Sequence, residues 1–543
     1  MKRQLHSMDS LFLHLDTEDS QVCITPVFFY DPSSAKGGEL SQAQLLEHLQ
    51  RSVEVLPLLR SRLERLPFDV DNPYLTEDRN FRLENHVREV VLPAPGDWKA
   101  LCKVLGDFQA SKMDTTGPLW QMIVIRGLDN IESMPEGAFV LAMKFHHVIA
   151  DGHSLIEIVG HMHDEGQSIA AKNPELKQQR YQAPPLLDRM TQAVSNNLLG
   201  ALNMVSPLLD AAPGITKTLA GEISRTATSM PQLPVKTRFN TSVSAKRVWD
   251  LASFDLPTIK QIAKNVPGAT VNDVVLAIVG GGLREYLSSK GDSVAQSLRA
   301  VAPMNVRHES LYNQAGNEVG YFFPDLPVHL DDSKARLAHA AKASAKAKAV
   351  ANGLGGRQMN DVSKNIPAVY FSSLNMAGLL KKGASSLLSM NGNTVVTNVP
   401  GPAITLHLGG ATLVNLSGIM LIGDGLGMNH CVNSYDGKLN ISVVSCPELM
   451  PDPEFYVQCL QNSYDGLKDA FGIEDEATAA GKTKAAAKAE SAPSEGDDTA
   501  AKAAKPASRT RKASTTRKPS SRSRAGAAIS KAGAAKAPAA AAD

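Results

Sequence analysis

The sequence predicts an α/β protein, α+β in its mixed sheets, with a folded body over residues 1–473 and a disordered tail over residues 474–543. Strand-like and helix-like segments alternate over residues 1–165, and the alternation returns over residues 236–473. Such alternation is typical of sheets covered by helices. The tail contains almost no large apolar side chains, so it lacks the surface needed to fold alone.

The first region, residues 1–165, contains four clear elements. Apolar runs predict strands at Val22–Tyr30 and Ala138–Phe145. Apolar residues at helical spacing predict helices at Ser41–Val55 and Trp98–Phe108. Ser41 is suited to cap the first of these helices.

Residues 166–235 form a connector in which prolines separate short amphipathic helices. Two interpretations stay open. The apolar faces of these helices pack on the neighbouring domains, or they touch a lipid surface.

The second region, residues 236–473, again mixes the two element types. We predict a helix at Val271–Leu287, an exposed Ala/Lys-rich helix at Ala340–Ala351, and strands at Leu298–Pro303, Gly320–Pro327 and Leu439–Ser445. The uncharged stretch 383–423 is broken by prolines and glycines and rich in β-branched residues, so we predict strands and turns there rather than a membrane span. Any membrane contact should therefore be peripheral.

Charge is divided unevenly between body and tail. The tail carries 14 basic and 8 acidic residues, while the body carries 42 basic and 47 acidic residues. An acidic body disfavours a nucleic-acid enzyme. The basic tail is suited to bind anionic lipid headgroups or nucleic acid.

Cysteine usage and the N-terminus predict the compartment. The five cysteines are widely spaced and form no CxxC pair, which favours free thiols over disulfides or a zinc site. No signal-peptide pattern follows Met1. We therefore expect a cytoplasmic protein, associated peripherally with the inner membrane or with lipid inclusions.

The most informative motif lies where the second predicted strand ends. His146 and His147 close the apolar run, and Asp151 and Gly152 follow after three residues. An imidazole held at a strand end is well suited to take a proton from an alcohol or thiol at neutral pH. A nearby carboxylate can brace such a site, and glycine allows a tight bend.

Two other enzyme classes fit this part of the sequence less well. The segment starting at Gly152 nearly matches the GxSxG elbow of serine hydrolases, but Ile156 stands where the final glycine is needed. His161 and His163 are two residues apart and no HExxH is present, so we predict no metal site.

The HHxxxDG motif resembles the active-site signature of the CoA-dependent acyltransferase superfamily, and further segments resemble bacterial wax ester synthase/diacylglycerol acyltransferases. The matching segments run in order along the body: Met8–Leu13, Pro57–Leu63, Pro118-Leu119-Trp120 (the PLW motif), Asn272–Ala277 (NDVVLA), Gly316-Asn317 (GN) and Asn398–Pro402. The resemblance implies two chloramphenicol-acetyltransferase-like lobes with the active site in a tunnel between them.

The resemblance also implies residue roles. His147 is the general base and His146 its structural neighbour, since adjacent strand residues point to opposite faces. Asp151 is structural and pairs with an arginine, for which Arg307 is the expected partner. Asn272 is either an oxyanion donor or the N-cap of its helix.

The resemblance assigns the remaining residues to three roles. Pro118, Leu119 and Trp120 shape the acyl channel; Asn398 contacts substrate and is, with Thr397, a weaker candidate for the oxyanion donor; Asp273, Gly316 and Asn317 are structural.

The implied reaction moves a fatty acyl group from acyl-CoA to diacylglycerol or a long-chain alcohol. Acyl-CoA is then a substrate, and we expect no cofactor. Two alternatives stay open: a superfamily acyltransferase with another acceptor, and a noncatalytic lipid-granule scaffold. A monomer or a homodimer satisfies the sequence equally well.

Overall fold

A computed structural model of the chain describes residues 2–149, 152–172, 179–203, 235–305, 319–353 and 392–473. By contact density the chain divides into two units, 1–482 and 483–543, and every described residue belongs to the first. The predicted tail 474–543 lies outside the described residues, as do residues 204–234 of the predicted connector. None of the described helices is long and apolar enough to cross a membrane.

The helices are α1 (Ser7–Leu15), α2 (Gln42–Val55), α3 (Trp98–Ala110), α4 (Gly152–Met162), α5 (Asp164–Ala171), α6 (Leu186–Asn203), α7 (Leu256–Lys264), α8 (Val271–Ser289), α9 (Ser333–Gly353) and α10 (Pro453–Phe471). Short 3-10 turns occur at Pro32–Ser34, Pro57–Arg60, Pro67–Asp69 and Leu83–Asn85.

The strands are β1 (Arg3–Gln4), β2 (Cys23–Asp31), β3 (Ser61–Glu64), β4 (Tyr74–Glu77), β5 (Val87–Val91), β6 (Trp120–Arg126), β7 (Phe139–His146), β8 (Val248–Asp255), β9 (Leu298–Asn305), β10 (Val319–Phe322), β11 (Asp325–Leu326), β12 (Thr394–Pro400), β13 (His407–Leu408), β14 (Ala411–Ile419), β15 (Met428–Tyr435) and β16 (Lys438–Ser445).

The first large sheet has the order β13-β14-β2-β7-β6-β5. Its pairs are antiparallel except β5 with β6, which run parallel. The two strands predicted from apolar runs, β2 and β7, lie side by side at its centre, with Cys23 opposite His146. Their residues are almost all buried, as expected for strands covered on both faces.

The second large sheet has the order β10-β9-β12-β15-β16-β8, with β11 also paired to β9. Strand β12 runs parallel to both β9 and β15, and the other pairs are antiparallel. Both sheets are therefore mixed, as the predicted fold class requires. A small third sheet joins β1, β4 and β3.

Two strands of the second predicted region complete the first sheet. Strand β14 pairs antiparallel with β2, with Leu416 opposite Phe28 and Ile419 opposite Thr25, and β13 adds beside it. The predicted boundaries at residues 165 and 236 stay predictions, but the first sheet draws on residues from both regions. The two halves are thus joined by backbone hydrogen bonds as well as by side-chain packing.

The two faces of the first sheet belong to different hydrophobic clusters. Val27, Phe29 and Ala142 lie in the cluster that also contains the apolar side chains of the second sheet. Their neighbours Phe28 and Phe145 lie in the other cluster, together with buried residues of α2 and α4. Because side chains alternate along a strand, β7 faces the second half of the body on one side and α2 and α4 on the other.

The structure confirms the predicted N-cap of α2 and corrects the predicted N-cap of α8. Ser41 caps α2, with Gln44 completing a reciprocal capping box, as predicted. The N-cap of α8 is Thr270, whose backbone N–H and hydroxyl both donate to the Asp273 carboxylate at 2.8 and 2.7 Å. The interpretation of Asn272 as an N-cap was therefore wrong, because that position is already inside the helix.

The Ala/Lys-rich helix α9 was predicted to be exposed, and this was wrong for one of its faces. Leu337, Ala340 and Ser344 are buried, and they lie on one face at helical spacing. This face packs on α8 and α10, while Lys334, Lys342 and Lys346 are exposed. The composition of the helix did not reveal this packing face.

Candidate active site

The histidine pair is held by backbone hydrogen bonds from two neighbouring segments. His146 is the last residue of β7, and its N–H donates to the Leu119 carbonyl at 3.0 Å. His147 begins the turn, and its N–H donates to the Val22 carbonyl at 2.8 Å. The turn closes when the Ile149 N–H donates back to the His146 carbonyl at 3.1 Å. The pair is therefore rigidly placed at a strand end, where sites are built precisely enough for chemistry.

The His146 side chain is buried and has a defined tautomer. Its Nδ1 accepts the Val148 N–H at 3.2 Å, so the proton of a neutral ring sits on Nε2. That Nε2 lies 3.7 Å from Oδ2 of Asp16. Asp16 in turn accepts the Val22 N–H at 2.8 Å, which joins the carboxylate to the segment that anchors His147.

His147 is only partly buried, and its ring lies against α1. The centroid of the ring is 4.3 Å from that of Phe12, with the rings tilted by 41°. The Nδ1 atom of His147 is buried. His146 is therefore the more buried of the two histidines, and their separate roles stay predictions.

The loop residue Asp151 and its expected partner Arg307 both lie outside the described residues, so their pairing stays a prediction. Gly316 and Asn317 lie outside them as well. Gly152 is the first residue of α4, which places the end of the motif at a helix start, as predicted.

The PLW motif lies directly beside the histidines. The Leu119 carbonyl is the acceptor for His146, and the Leu119 and Trp120 side chains are buried. The Trp120 indole N–H donates to the Leu59 carbonyl at 2.6 Å, and Pro118 bridges to Arg62 of β3. The structure therefore brings this motif and the histidine pair together.

A pocket of about 440 Å³ opens beside this motif, with Pro118 and Trp120 in its wall. Its other lining residues are mainly polar or charged, including Arg62, Asp78 and His86. His86 stacks on Trp120 with ring centroids 4.7 Å apart, and burial lowers the pKa of His86. A lining of this kind does not suit a long acyl chain, and the predicted role of the motif in shaping an acyl channel stays a prediction.

The second half of the body supplies the predicted Asn272, Asp273 and Asn398. Asn272 lies in the first turn of α8 and is partly exposed, whereas Asp273 is buried and holds the helix start, in keeping with a structural role. Asn398 is exposed on β12, one residue after the buried Thr397. Within the described ranges, no hydrogen bond or ion pair joins Asn272 or Asn398 to either histidine.

The sequence reasoning missed Asp16 and Lys144, and it named Phe12 only within the family-like segment Met8–Leu13. Asp16 and Phe12 are far from the histidines along the chain and reach them only through the fold. Lys144 gave a usable signal, because it is a charged residue inside an otherwise apolar strand, and it is fully buried. A lysine in such a position needs specific partners.

His163, one of the two histidines considered for a metal, has other partners. His163 is buried, with one ring nitrogen 2.9 Å from the Tyr30 hydroxyl and the other 2.6 Å from the Val159 carbonyl. Over the described ranges, no group of three or more His, Cys, Asp or Glu side chains is arranged to hold a metal ion.

Helix α6, in the predicted connector, shows features of both interpretations. Ala193 is buried, Arg189 pairs with Glu64 at 2.7 Å, and Asn197 donates to the Val70 carbonyl, so one face packs on the body. The opposite face leaves large apolar side chains in solvent, with Leu187 79% and Val194 70% exposed. Such exposure over successive turns indicates an interaction surface.

Comparison with known families and proteins identifies the family to which these motifs belong. Residues 5–275 match the model of the wax ester synthase/diacylglycerol acyltransferase catalytic domain, and residues 315–468 match the C-terminal domain of that family. The chain is 26% identical over 471 residues to the probable diacylglycerol O-acyltransferase tgs2 of Mycobacterium tuberculosis, covering 86% of this chain and 98% of that protein. It is 26% identical over 455 residues to the O-acyltransferase WSD of Acinetobacter baylyi, covering 83% and 93% respectively.

Solved structures support the fold. The wax ester synthase/diacylglycerol acyltransferase of Marinobacter aquaeolei VT8 superposes with a TM-score of 0.59 at 22% identity, covering 87% of this chain and all of that one. The trichothecene 15-O-acetyltransferase TRI3 of Fusarium sporotrichioides superposes with a TM-score of 0.52 at 12% identity, covering 86% and 95%. The predicted fold class is confirmed.

Proposed function

The chain belongs to the wax ester synthase/diacylglycerol acyltransferase family, and from that premise we propose how this O-acyltransferase works, with His147 as the general base. The substrates are a long-chain acyl-CoA and the hydroxyl group of diacylglycerol or of a fatty alcohol. The observation that carries the proposal is the placement of His147: its backbone is anchored at a strand end, and the residue is only partly buried.

The transfer is direct. His147 Nε2 takes the proton of the acceptor hydroxyl as the oxygen attacks the thioester carbonyl. The tetrahedral intermediate then collapses, the C–S bond breaks, and His147 returns the proton to the departing CoA sulfur. A positioned base of this kind contributes roughly 10²–10⁴-fold to the rate. No cofactor takes part, because the thioester itself supplies the activated acyl group.

The oxyanion of the intermediate needs a hydrogen-bond donor. We assign this role to the amide of Asn272, which lies in the first turn of α8, where the helix dipole also favours negative charge. Exclusion of Asn272 from the N-cap position supports the assignment, since its side chain is not needed to start the helix. Asp151 and Arg307 brace the loop after the histidines, and Asn398 contacts substrate.

Contact with a lipid surface follows from the substrates and is supported by α6. Leu187, Val194 and Leu198 lie on one helical face, and each is at least 64% exposed. The stretch Leu186–Asn203 contains only two charged residues, and one of them, Arg189, is turned inward to Glu64. We propose that this face rests on membrane or inclusion lipid, with the basic tail adding attraction to anionic headgroups.

The decisive experiment follows thiol release from palmitoyl-CoA by the purified protein, with hexadecanol or a diacylglycerol as acceptor, beside the His147→Ala variant. We expect acceptor-dependent release and a lipid ester product, both lost in the variant. The better acceptor would define the preferred reaction.

The other outcomes point to different functions. Release without acceptor would indicate a thioesterase. A folded protein that releases no thiol with any acceptor would favour transfer to another acceptor class or the scaffold role.

The lipid surface is tested by flotation with triolein emulsions coated with phospholipid. Leu187→Ser combined with Val194→Ser should reduce flotation, and Gln192→Ser on the same helix is the matched control. Deleting residues 474–543 should leave turnover with dispersed substrates intact and weaken binding only to anionic emulsions. Unchanged flotation of the double variant would exclude α6 as the contact.

A further inference from the structure

We propose that Lys144 is a positioning residue for acyl transfer, whose buried ammonium ties the end of α3 to the strand that carries the histidines. This inference rests on the proposed function for its kinetic consequences. Its structural basis does not depend on that function: Lys144 and His146 lie two residues apart on one face of β7.

The ammonium group has a complete set of partners. Lys144 is fully buried, and its Nζ donates to the Phe108 carbonyl at 2.9 Å, to the Ser111 carbonyl and to the Ser111 hydroxyl at 2.9 Å. The Ser111 hydroxyl also donates to the Phe108 carbonyl at 2.7 Å. Three N–H donors thus meet three acceptors, which is all that an ammonium can offer.

These acceptors lie at the carboxyl end of α3. The helix ends at Ala110 with Ser111 as its C-cap, where unpaired carbonyls and the helix dipole favour a positive charge. Phe108 also places its ring beneath the ammonium, 5.1 Å from Nζ to the centroid. A cation fits this site better than an apolar side chain of equal size, because an apolar group would leave the carbonyls unsatisfied.

The segment that follows α3 is linked to one backbone acceptor of the histidine pair and contains the other. The Met113 N–H donates to Oε1 of Gln21 at 3.2 Å, and Gln21 precedes Val22, whose carbonyl accepts the His147 N–H. Further along, the Leu119 carbonyl accepts the His146 N–H. Fixing Ser111 therefore restrains both backbone acceptors that set the position of the histidines.

Gln109 reinforces the same connection from α3. Its amide donates to the Cys23 carbonyl at 2.9 Å, and its carbonyl oxygen accepts the Thr25 hydroxyl. Cys23 lies opposite His146 in the sheet. Helix α3 is thus attached to both strands that flank the site, and Lys144 is the charged member of this attachment.

The charge on Lys144 depends on pH within an accessible range. Burial lowers its pKa to about 8, Arg88 adds to the lowering, and Cys23 and Asp16 oppose it. Above this pH the amine loses one donor and its attraction to the helix end. The unfolded chain, with an ordinary lysine pKa of 10.5, still binds the proton there, so the contribution of Lys144 to folding stability rises between pH 8 and 10.5. Positioning and stability therefore respond oppositely to alkaline pH.

The test compares Lys144→Met with Lys103→Met, a matched change at an exposed lysine of α3 that pairs only with Asp107. We expect Lys144→Met to lower kcat roughly 10–100-fold, since small misplacements at a reacting centre have effects of this size, and to change KM for acyl-CoA little. The wild type should lose kcat above about pH 8 while staying folded, and the low kcat of Lys144→Met should be flat there. Lys103→Met should match the wild type throughout.

A second readout does not depend on activity. Amide hydrogen exchange over residues 111–119 and at His146 and His147 should accelerate in Lys144→Met but not in Lys103→Met. If the wild type transfers no acyl group, the proposed function fails, and this measurement still decides the connection through Lys144.

Three results would overturn the proposal: unchanged kcat in Lys144→Met, exchange rates equal to those of the control, or a wild-type kcat that is flat to pH 9. The last measurement needs only the unmodified protein, so it applies even if Lys144→Met does not fold.

Discussion

The two large sheets each bury a histidine, and the two rings have opposite surroundings. On β15 of the second sheet, His430 has one ring nitrogen 2.7 Å from the Tyr456 hydroxyl and the other 3.1 Å from the Thr394 hydroxyl. At the end of β7 in the first sheet, His146 accepts one backbone N–H, and its Nε2 has no hydrogen-bond partner among the described residues. Both rings are equally buried, so burial alone does not separate a packing histidine from one at a reactive site.

The two histidines differ in how many of their ring nitrogens have a hydrogen-bond partner. Burial lowers the pKa of His430 to about 4, and its two hydroxyl partners keep the neutral ring fixed. His146 lies where β7 ends, and the adjacent His147 is only partly buried. A mid-strand histidine whose two ring nitrogens are both hydrogen-bonded stabilises packing. A histidine at a strand end can instead present a ring edge to a substrate.

The largest expected contrast is between His147→Ala and His430→Ala. The first should lower kcat by roughly 10²–10⁴-fold and change the free energy of unfolding by less than about 1 kcal/mol. The second should lower the free energy of unfolding by roughly 2–3 kcal/mol, because Tyr456 and Thr394 lose a buried partner, and leave kcat of the folded fraction unchanged. Urea unfolding and initial-rate kinetics measure both, and a large loss of kcat in folded His430→Ala would break the comparison.

The next contrast lies within the first turn of α8. Asn272→Ala should lower kcat by roughly 10²–10³-fold if its amide stabilises the oxyanion, with little change in KM. Asp273→Ala should instead cost about 1 kcal/mol of stability, because it removes the acceptor for Thr270 at the helix start. Equal kcat in Asn272→Ala and wild type would remove Asn272 from the mechanism.

Acid should destabilise the second sheet through His430. Its folded-state pKa of about 4 lies below the unfolded value of 6.5, so the unfolded chain binds the proton first as pH falls. Stability should therefore fall by about 3 kcal/mol between pH 6.5 and 4 from this group alone. The contribution of His430 is measured by comparing the unfolding free energies of the wild type and of His430→Phe across this pH range. If both free energies change equally with pH, the His430 ring is not held neutral.

The smallest expected contrast compares the two capping boxes. Ser41→Ala at α2 should cost about 1 kcal/mol and leave kcat unchanged, since α2 lies away from the reacting groups. Thr270→Ala at α8 should cost a similar amount and also lower kcat severalfold, because the same turn carries Asn272. Thermal unfolding and kinetics of the two variants decide this, and equal kcat in both would separate the helix start from catalysis.

Much of the fold was predictable because its signals are local. The apolar runs of β2 and β7, the spacing of α2 and α3, and the Ser41 cap all involve residues close together in the chain, and the structure confirms them. The strand-end position of His146 and His147 was predictable for the same reason.

The errors arose where a local pattern had two possible sources. Asn272 and Thr270 are both good capping residues, and only the backbone conformation shows that Thr270 is the cap. In α9, alanine contributes to helix propensity and also permits close packing, so the composition did not reveal a buried face.

The sequence by itself determined the strand-end histidines, the alternating elements and the family motifs, since these depend on side-chain type and short spacing. Only the tertiary structure decided that β14 completes the first sheet, that Asp16 faces His146, and that Lys144 closes the end of α3. Each of these contacts joins residues far apart in the chain, and its partner is selected by burial and hydrogen-bond satisfaction across the whole body. Local sequence patterns do not encode that selection.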